Sequence, residues 1–326
     1  PDQQNEESTG SMPDQQNESA TRPSVVAPGN YDGVHLGHRA LIRAARDRAA
    51  GGGLHTLALT FDPHPAQVVA NGPVPPLLTT VERRSHLLRR VGADQVVVQP
   101  FGPEFAALSP ERFLQSSMIQ TLGAEAVVVG ADFRFGKDRA GDIGTLRELG
   151  KRYGFELIVV DPVRVEGQQV SSSEVRRAVA EGEMERAARY LNRFHDLAGE
   201  VVEGCGRGKD LGAPTANLLC EPVLLPPDGV YAVAARRIEP DTKELLHGVA
   251  NLGVRPTFGS GRSLEVHIFD FTGYLYGSRL RVAFVGRLRE EKRFASAEQL
   301  RTQIGIDIES ARRALGEADE EKLSWI

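Results

Sequence analysis

Between Ser24 and Leu191, short apolar runs alternate with stretches of helical periodicity. The runs at 54–61, 95–99, 125–130 and 155–161 are rich in Val, Leu and Ile, as strands buried on both faces are. Ser24–Ala27 reads as a first strand, ahead of a helix over Arg39–Ala50. Helix starts are marked by Thr79 with Glu82, a capping box, and by Ser109 with Pro110, an N-cap followed by proline. This alternation predicts an α/β unit: a parallel sheet with helices on both faces.

After about Asn192 the texture changes. Segments 197–203, 230–238, 246–252, 264–271 and 280–288 read as strands separated by glycine, proline or aspartate. Helical pattern returns only near the end, where Ser296 and Gln299 form another capping box. Successive strands with turn signals predict an antiparallel β-barrel with a terminal helix. The expected division is therefore 24–191 and 192–326. Residues 1–23 are polar, and Pro1–Glu6 is repeated as Pro13–Glu18. That segment reads as a disordered tail with an expression scar ahead of Met12.

A chain of 326 residues can bury two cores, and 40% hydrophobic with 25% charged residues is a globular composition. A formal charge of −5 argues against broad nucleic-acid binding, though small phosphorylated ligands need only local positive groups. The two cysteines, Cys205 and Cys220, fit no metal-ligand spacing and read as reduced thiols. No apolar run is long enough to cross a bilayer and no leader opens the sequence, so a cytoplasmic protein is expected. Oligomeric state is not readable.

The candidate chemistry starts where the first strand runs into Gly29-Asn30-Tyr31-Asp32-Gly33-Val34-His35-Leu36-Gly37-His38. In parallel sheets ligands bind at the carboxyl ends of strands and at helix N-termini. Gly37 leaves the backbone open to a phosphate, and His35 and His38 can offer N–H donors. Adenylyl transfer needs little else: positioned donors and Mg²⁺ stabilise charge as a phosphate attacks the α-phosphorus of ATP. The alternative is two histidines that merely cap a helix. Further on, Ser171 and Glu174 make a capping box, and Arg176 can reach forward over that helix N-terminus to a triphosphate.

In the second half, glycines at 204, 206, 208 and 212 form a loop whose amides can face an anion. A ligand-free hairpin is the plain alternative. Thr215 and Asn217 stand at i and i+2, on one face of an extended segment, and their hard oxygens suit Mg²⁺ and phosphate. Glu265, His267 and Phe269 share a strand face opposite Val266 and Ile268. A carboxylate there can deprotonate an alcohol for attack on a γ-phosphate.

Taken together, Gly29–His38, Phe61-Asp62-Pro63-His64-Pro65, Gly130–Gly136 and Val170–Arg176 resemble the bacterial bifunctional riboflavin kinase/FAD synthetases. Gly206-Arg207-Gly208-Lys209-Asp210-Leu211-Gly212-Ala213-Pro214-Thr215-Ala216-Asn217, Gly229-Val230-Tyr231 and Gly248–Phe258 resemble the kinase module of that family. The resemblance covers roughly 24–318. It implies a Rossmann-like nucleotidyltransferase sheet that adenylylates FMN to FAD and a barrel that phosphorylates riboflavin to FMN, both using ATP and Mg²⁺. It implies catalytic roles for His35, His38, Arg176 and Glu265. ATP contacts are implied at Gly29, Tyr31, Gly37, Ser172 and Ser173, the last replacing the family's usual threonine. Asp132 and Phe133 would meet the flavin, and Thr215 and Asn217 the Mg²⁺-nucleotide. Gly206, Arg207, Gly208, Lys209 and Gly212 are added as phosphate contacts. Ala27-Pro28 departs from the family's usual Thr-Ile and is expected to shorten the first strand by removing an N–H. A kinase with an impaired synthetase half and a non-catalytic flavin binder stay open at this level.

Overall fold

The computed structural model of the chain describes residues 23–70, 72–203, 214–238, 244–254 and 262–326. Residues 1–22 of the expected tail, and Gly206, Arg207, Gly208, Lys209 and Gly212, lie outside these.

Five strands, β1 (Ser24–Pro28), β2 (His55–Asp62), β3 (Gln95–Pro100), β4 (Ala124–Gly130) and β5 (Glu156–Val160), form a sheet in the order β3-β2-β1-β4-β5. Every pairing in it is parallel. Between and after them run α1 (Leu36–Ala50), α2 (Pro65–Val69), α3 (Val81–Val91), α4 (Pro103–Ala106) and α5 (Pro110–Phe113). They are followed by α6 (Ile143–Tyr153), α7 (Ser172–Glu181) and α8 (Met184–Leu191). Because strand side chains alternate between faces, Val25 and Ala27 pack under α1 and α3, while Val26 packs on the other side with Phe113, Leu114 and Leu146. Both faces are covered, as the continuous apolar runs predict. Strand order reverses between β1 and β4, so the crevice beyond their carboxyl ends is where such a sheet accepts a ligand. The 29–38 and 130–136 loops both open there.

Pro28 does not shorten β1. Its neighbours show why: Ser24 N bonds Gly123 O on the β4 side, and Gly29 N bonds Leu59 O on the β2 side. By alternation the missing N–H of Pro28 points to β4, whose ladder with β1 ends at Val26↔Val127, whereas pairing with β2 continues to Pro28↔Leu59.

The capping signals hold with local adjustments. Ser109, Ser171 and Ser296 cap as expected, each hydroxyl accepting an amide three residues on. The box expected at Thr79 shifts by one: Thr80 caps α3 through Arg83 N, because Thr79 is drawn into bonds with Asp32 and Gly33. Glu174 does not return to its cap but pairs with Arg177 and Arg186.

Strands β8 (His195–Val202), β9 (Ala216–Cys220), β10 (Gly229–Arg237), β11 (Leu246–Val254), β12 (Arg262–Ile268) and β13 (Arg279–Arg289) close an antiparallel barrel. A two-stranded ribbon, β6 (Arg164–Val165) with β7 (Gln168–Gln169), precedes α7. Leu197, Leu218, Tyr231, Ala250, Leu264, Val266 and Phe284 fill the barrel. Outside it, Ala311 and Leu315 of α9 (Ala297–Gly316) cover Ala232, Ala234 and Val249. β12 ends sooner than its apolar pattern suggests, since Asp270 turns the chain with φ 54°.

Sheet and barrel are joined through buried charge. Arg83 of α3 grips Asp196 of β8 with two bonds, at 2.8 and 2.9 Å, and Arg281 adds a third at 3.0 Å. Burial pushes the Asp196 carboxyl up, but Arg83, Arg281 and Arg193 outweigh it and hold the pKa well below the usual carboxylate range. After α10 (Glu320–Leu323), the Trp325 ring lies between the guanidiniums of Arg39 and Arg90, 4.5 and 4.4 Å away.

Candidate active sites

The Gly29–His38 run folds around Asp32, which is 1% exposed. Its carboxylate accepts from Leu78 N, Thr79 N and the Thr79 hydroxyl, and from Arg176 Nη2 at 2.6 Å. Ser172 Oγ donates to the Asp32 carbonyl at 2.8 Å. One buried side chain thus ties together the loop after β1, the segment before α3 and the start of α7. Arg176 is spent on Asp32 and on the Pro76 carbonyl, not extended over the helix N-terminus.

His35 is the N-cap of α1, its Nδ1 accepting from His38 N at 3.4 Å. That bond leaves the proton of the neutral ring on Nε2. The His35 and His38 rings stack 3.6 Å apart. Burial, the larger cause, together with Arg193 and Arg176, brings the His35 pKa down to about 3, though Asp32 opposes the shift. His38 is also held well below its ordinary value, by burial and then by His35, Arg84 and Arg176. Both imidazoles are therefore neutral N–H donors near pH 7, and the capping role coexists with them. Gly37 leaves room for the ring above it: a Cβ there would lie 3.1 Å from His35 Cε1 and push the ring aside.

Two cavities meet at this loop. One, of about 300 Å³, is walled by Phe61, Phe101, Phe105, Phe113, Phe133 and Phe135. The Phe133 and Phe135 rings stack at 5.5 Å. Gly136 (φ 71°) closes this wall against Pro110, whose nitrogen a Cβ would approach to 2.7 Å. The other cavity is lined by His35, Gly37, His38, Ser171 and Ser172, with the amino end of α7 on its rim. Gly29, Asn30, Asp132 and Phe133 line both. A molecule with a flat apolar body and a phosphate end fits across this seam, with aromatic surface for one part and N–H donors with a helix N-terminus for the other.

The structure brings Gly29, His35, Gly37, His38, Ser172, Asp132 and Phe133 together. Tyr31 is not among the lining residues. It is fully buried, its hydroxyl donates to the Ala27 carbonyl at 2.9 Å, and burial raises its pKa. Its ring edge supports His38 at 5.1 Å. Ser173 is exposed on the outer side of α7 and lines neither cavity. Sequence reasoning passed over Asn30 at the seam, Asp32 beneath it and His64, the buried cap of α2. Asp32 carried a signal, an acidic residue inside a glycine-rich turn that demands several donors.

On the barrel, β9 and β12 pair Asn217 with Glu265, and β11 places Asn251 on the other side of Glu265. Directly opposed residues share a face, so these three form a polar row outside the barrel, opposite Leu218, Leu264 and Val266. Asn217 is buried, and its Oδ1 has no hydrogen-bond partner among the described residues. His267 Nδ1 meets the Pro214 carbonyl at 2.9 Å and pins the start of the Thr215–Asn217 run. Thr215 instead lines a cavity of about 150 Å³ with Ala216, Val266, Ile268 and Phe271, which excludes Asn217 and Glu265. Nearby, Cys220 is a free thiol whose pKa burial pushes up to about 12; Cys205 lies outside the described residues.

Residues 17–174 match the family described as FAD synthetase, and residues 191–315 match the family described as riboflavin kinase. The bifunctional riboflavin kinase/FMN adenylyltransferase of Pseudomonas fluorescens is 38% identical over 89% of this chain and 93% of its own length. The Escherichia coli K12 protein of the same name is 35% identical over 90% of this chain and 93% of its own. A solved structure described as a macrolide-efflux protein from Streptococcus pneumoniae superposes with a TM-score of 0.82 at 30% identity, covering 90% of this chain and 94% of that one. Among the described residues, no helix is long and apolar enough to cross a membrane. With the seam of two cavities in the sheet, the polar row on the barrel and these matches over nearly the whole length, the chain belongs to the bifunctional riboflavin kinase/FMN adenylyltransferase family.

Proposed function

We propose that the barrel phosphorylates riboflavin to FMN with ATP, and that the sheet unit joins FMN to the AMP moiety of a second ATP, forming FAD. The division falls near residues 191 and 192. The observation that carries the reading is the seam at Gly29, Asn30, Asp132 and Phe133, where an aromatic-walled cavity meets one lined by imidazoles.

In the sheet unit, FMN lays its isoalloxazine among the phenylalanines and its phosphate at the seam. A phosphate oxygen of FMN bonds to the α-phosphorus of ATP while the bond to the β-phosphate oxygen breaks, and pyrophosphate leaves with the electron pair. Neutral His35 and His38 donate hydrogen bonds to phosphate oxygens, aided by the amides that open α7. Stacked rings 3.6 Å apart favour neutral donors over two adjacent cations. Arg176 lines neither cavity and acts through Asp32, which it holds in place beneath the imidazoles.

In the barrel, Glu265 accepts the proton of the flavin's primary alcohol as its oxygen attacks the γ-phosphorus of ATP, and ADP leaves. Asn217 holds this carboxylate's flank. The orphaned Asn217 Oδ1 fits a hard cation, so Asn217 would hold Mg²⁺, which when bound neutralises phosphate charge; Thr215, which lines the neighbouring cavity, would join it only by turning toward Asn217. The partners are small molecules, with no nucleic acid and no membrane, and the protein is cytoplasmic.

Incubation with riboflavin, ATP and Mg²⁺ followed by flavin chromatography tests the scheme. His38→Ala should accumulate FMN without FAD. Glu265→Gln should make no FMN yet convert supplied FMN to FAD. The expected loss is about 100-fold or more for the affected step alone. Loss of both activities in either well-folded variant contradicts two independent sites.

A further inference from the structure

Helix α3 buries two consecutive arginines, Arg83 at 4% and Arg84 at 0% exposure. The pair falls in the apolar phase of the helix, with Leu87 and Leu88 one turn on. Arg83 is matched by the Asp196 carboxylate and the Trp325 carbonyl. Arg84 is not matched in this way. Its Nη1 donates to the Asn30 carbonyl at 2.5 Å and to the Thr60 hydroxyl at 3.1 Å. Its Nε and Nη2 have no acceptor among the described residues. The Asp32 and Asp62 carboxylates act on it only through space, without a hydrogen bond; a buried guanidinium so placed is expensive, and leucine would serve the packing at less cost.

The position of Arg84 suggests what the expense is for. Asn30 lines both cavities, and Arg84 holds its carbonyl from beneath. Of the buried arginines Arg83, Arg84 and Arg193, the other two each pair with Asp196. The imidazoles above are neutral, and Arg176 is neutralised by Asp32. The seam must nevertheless bring a phosphate dianion against a triphosphate, where repulsion between anions is strong. Arg84 itself is fully buried, so its fixed charge is screened less than that of a surface arginine.

We propose that Arg84 is a positioning residue of the adenylyl-transfer site, a buried counter-charge that fixes the Asn30 backbone and offsets the repulsion of the two phosphates as the new bond forms. It does not touch the ligands, so its effect falls on the transfer step more than on binding. The inference rests on the FMN adenylylation reading, and failure of that reading appears separately, as wild-type protein that forms no FAD.

The test compares the wild-type full chain with Arg84→Met, which keeps length and loses charge, and Arg84→Lys, which keeps charge. FAD formation is measured across FMN and ATP concentrations, and riboflavin phosphorylation by the same preparation reports folding. Arg84→Met should lower kcat for FAD formation about 100-fold with each KM within about threefold of wild type, a size typical of removing one preorganised electrostatic group. Arg84→Lys should recover to within about tenfold of wild type, since it restores the charge without the fork. An Arg84→Met kcat near wild type overturns the proposal, as does an effect confined to KM. An equal fall in both variants also overturns it, because that marks packing rather than charge. If Arg84→Met also loses kinase activity, the Lys variant decides: recovery supports the proposal, and a fall as deep as that of Met overturns it.

Discussion

Asp32→Ala probes the hub beneath the synthetase site. The carboxylate accepts two backbone amides, one hydroxyl and the Arg176 guanidinium, at distances from 2.6 to 3.2 Å, while 1% exposed. Alanine leaves the Leu78 and Thr79 amides without their acceptor and Arg176 without its counter-ion. Removing one partner of a buried ion pair costs about 3–5 kcal/mol, and abandoned buried donors add to it, less what water entering the gap restores. A net loss of about 4–6 kcal/mol is therefore expected, which for a unit of this size lowers Tm by about 10–20 °C. Asp32→Asn keeps the shape, loses the charge and turns one acceptor into a donor, so about half that loss should follow. Differential scanning calorimetry reads the stability, and FAD formation should fall with it while riboflavin phosphorylation below the transition persists. A Tm for Asp32→Ala within about 3 °C of wild type would refute the reasoning, because no buried hub can be removed so cheaply.

Two further expectations concern pH and the joint between the units. The pKa values of His35 (about 3) and His38 are depressed by burial, so below their ordinary value near 6.5 the unfolded chain binds protons that the folded chain refuses. Their contribution to stability is complete above about pH 6.5 and declines as the pH falls, for His35 down to about pH 3, by up to about 1.4 kcal/mol per pH unit per histidine. Urea midpoints of the His35→Gln/His38→Gln double variant should fall less steeply between pH 7 and 5 than those of wild type; equal slopes would count against the assignment. Trp325→Ala empties the slot between Arg39 and Arg90 and should cost about 3–5 kcal/mol. Because Arg39 follows His38, FAD formation should suffer more than riboflavin phosphorylation, and an unchanged calorimetric profile would show that the clasp does not couple sheet to barrel.

Much of the architecture was legible beforehand, because strand and helix periods are local properties of a chain whose elements are buried on predictable faces. The parallel sheet, the barrel with its terminal helix and the meeting of His35, His38, Asp132 and Phe133 all follow from pattern and motif. What pattern could not decide was where individual polar side chains would end. Arg84 reaches a carbonyl 54 residues away, Arg83 a carboxylate 113 residues away, and Arg176 finds Asp32 across 144. Tyr31 looked like a ligand contact and is core; Thr79 looked like a cap and serves Asp32; Pro28 looked like a break and keeps its place. In each case the deciding fact is which neighbour faces the group in three dimensions. By itself the sequence determined which elements form and which chemistry they can bear. Only the tertiary structure settled which charges are buried, and what each one holds in place, because burial and hydrogen bonding depend on distant parts of the chain.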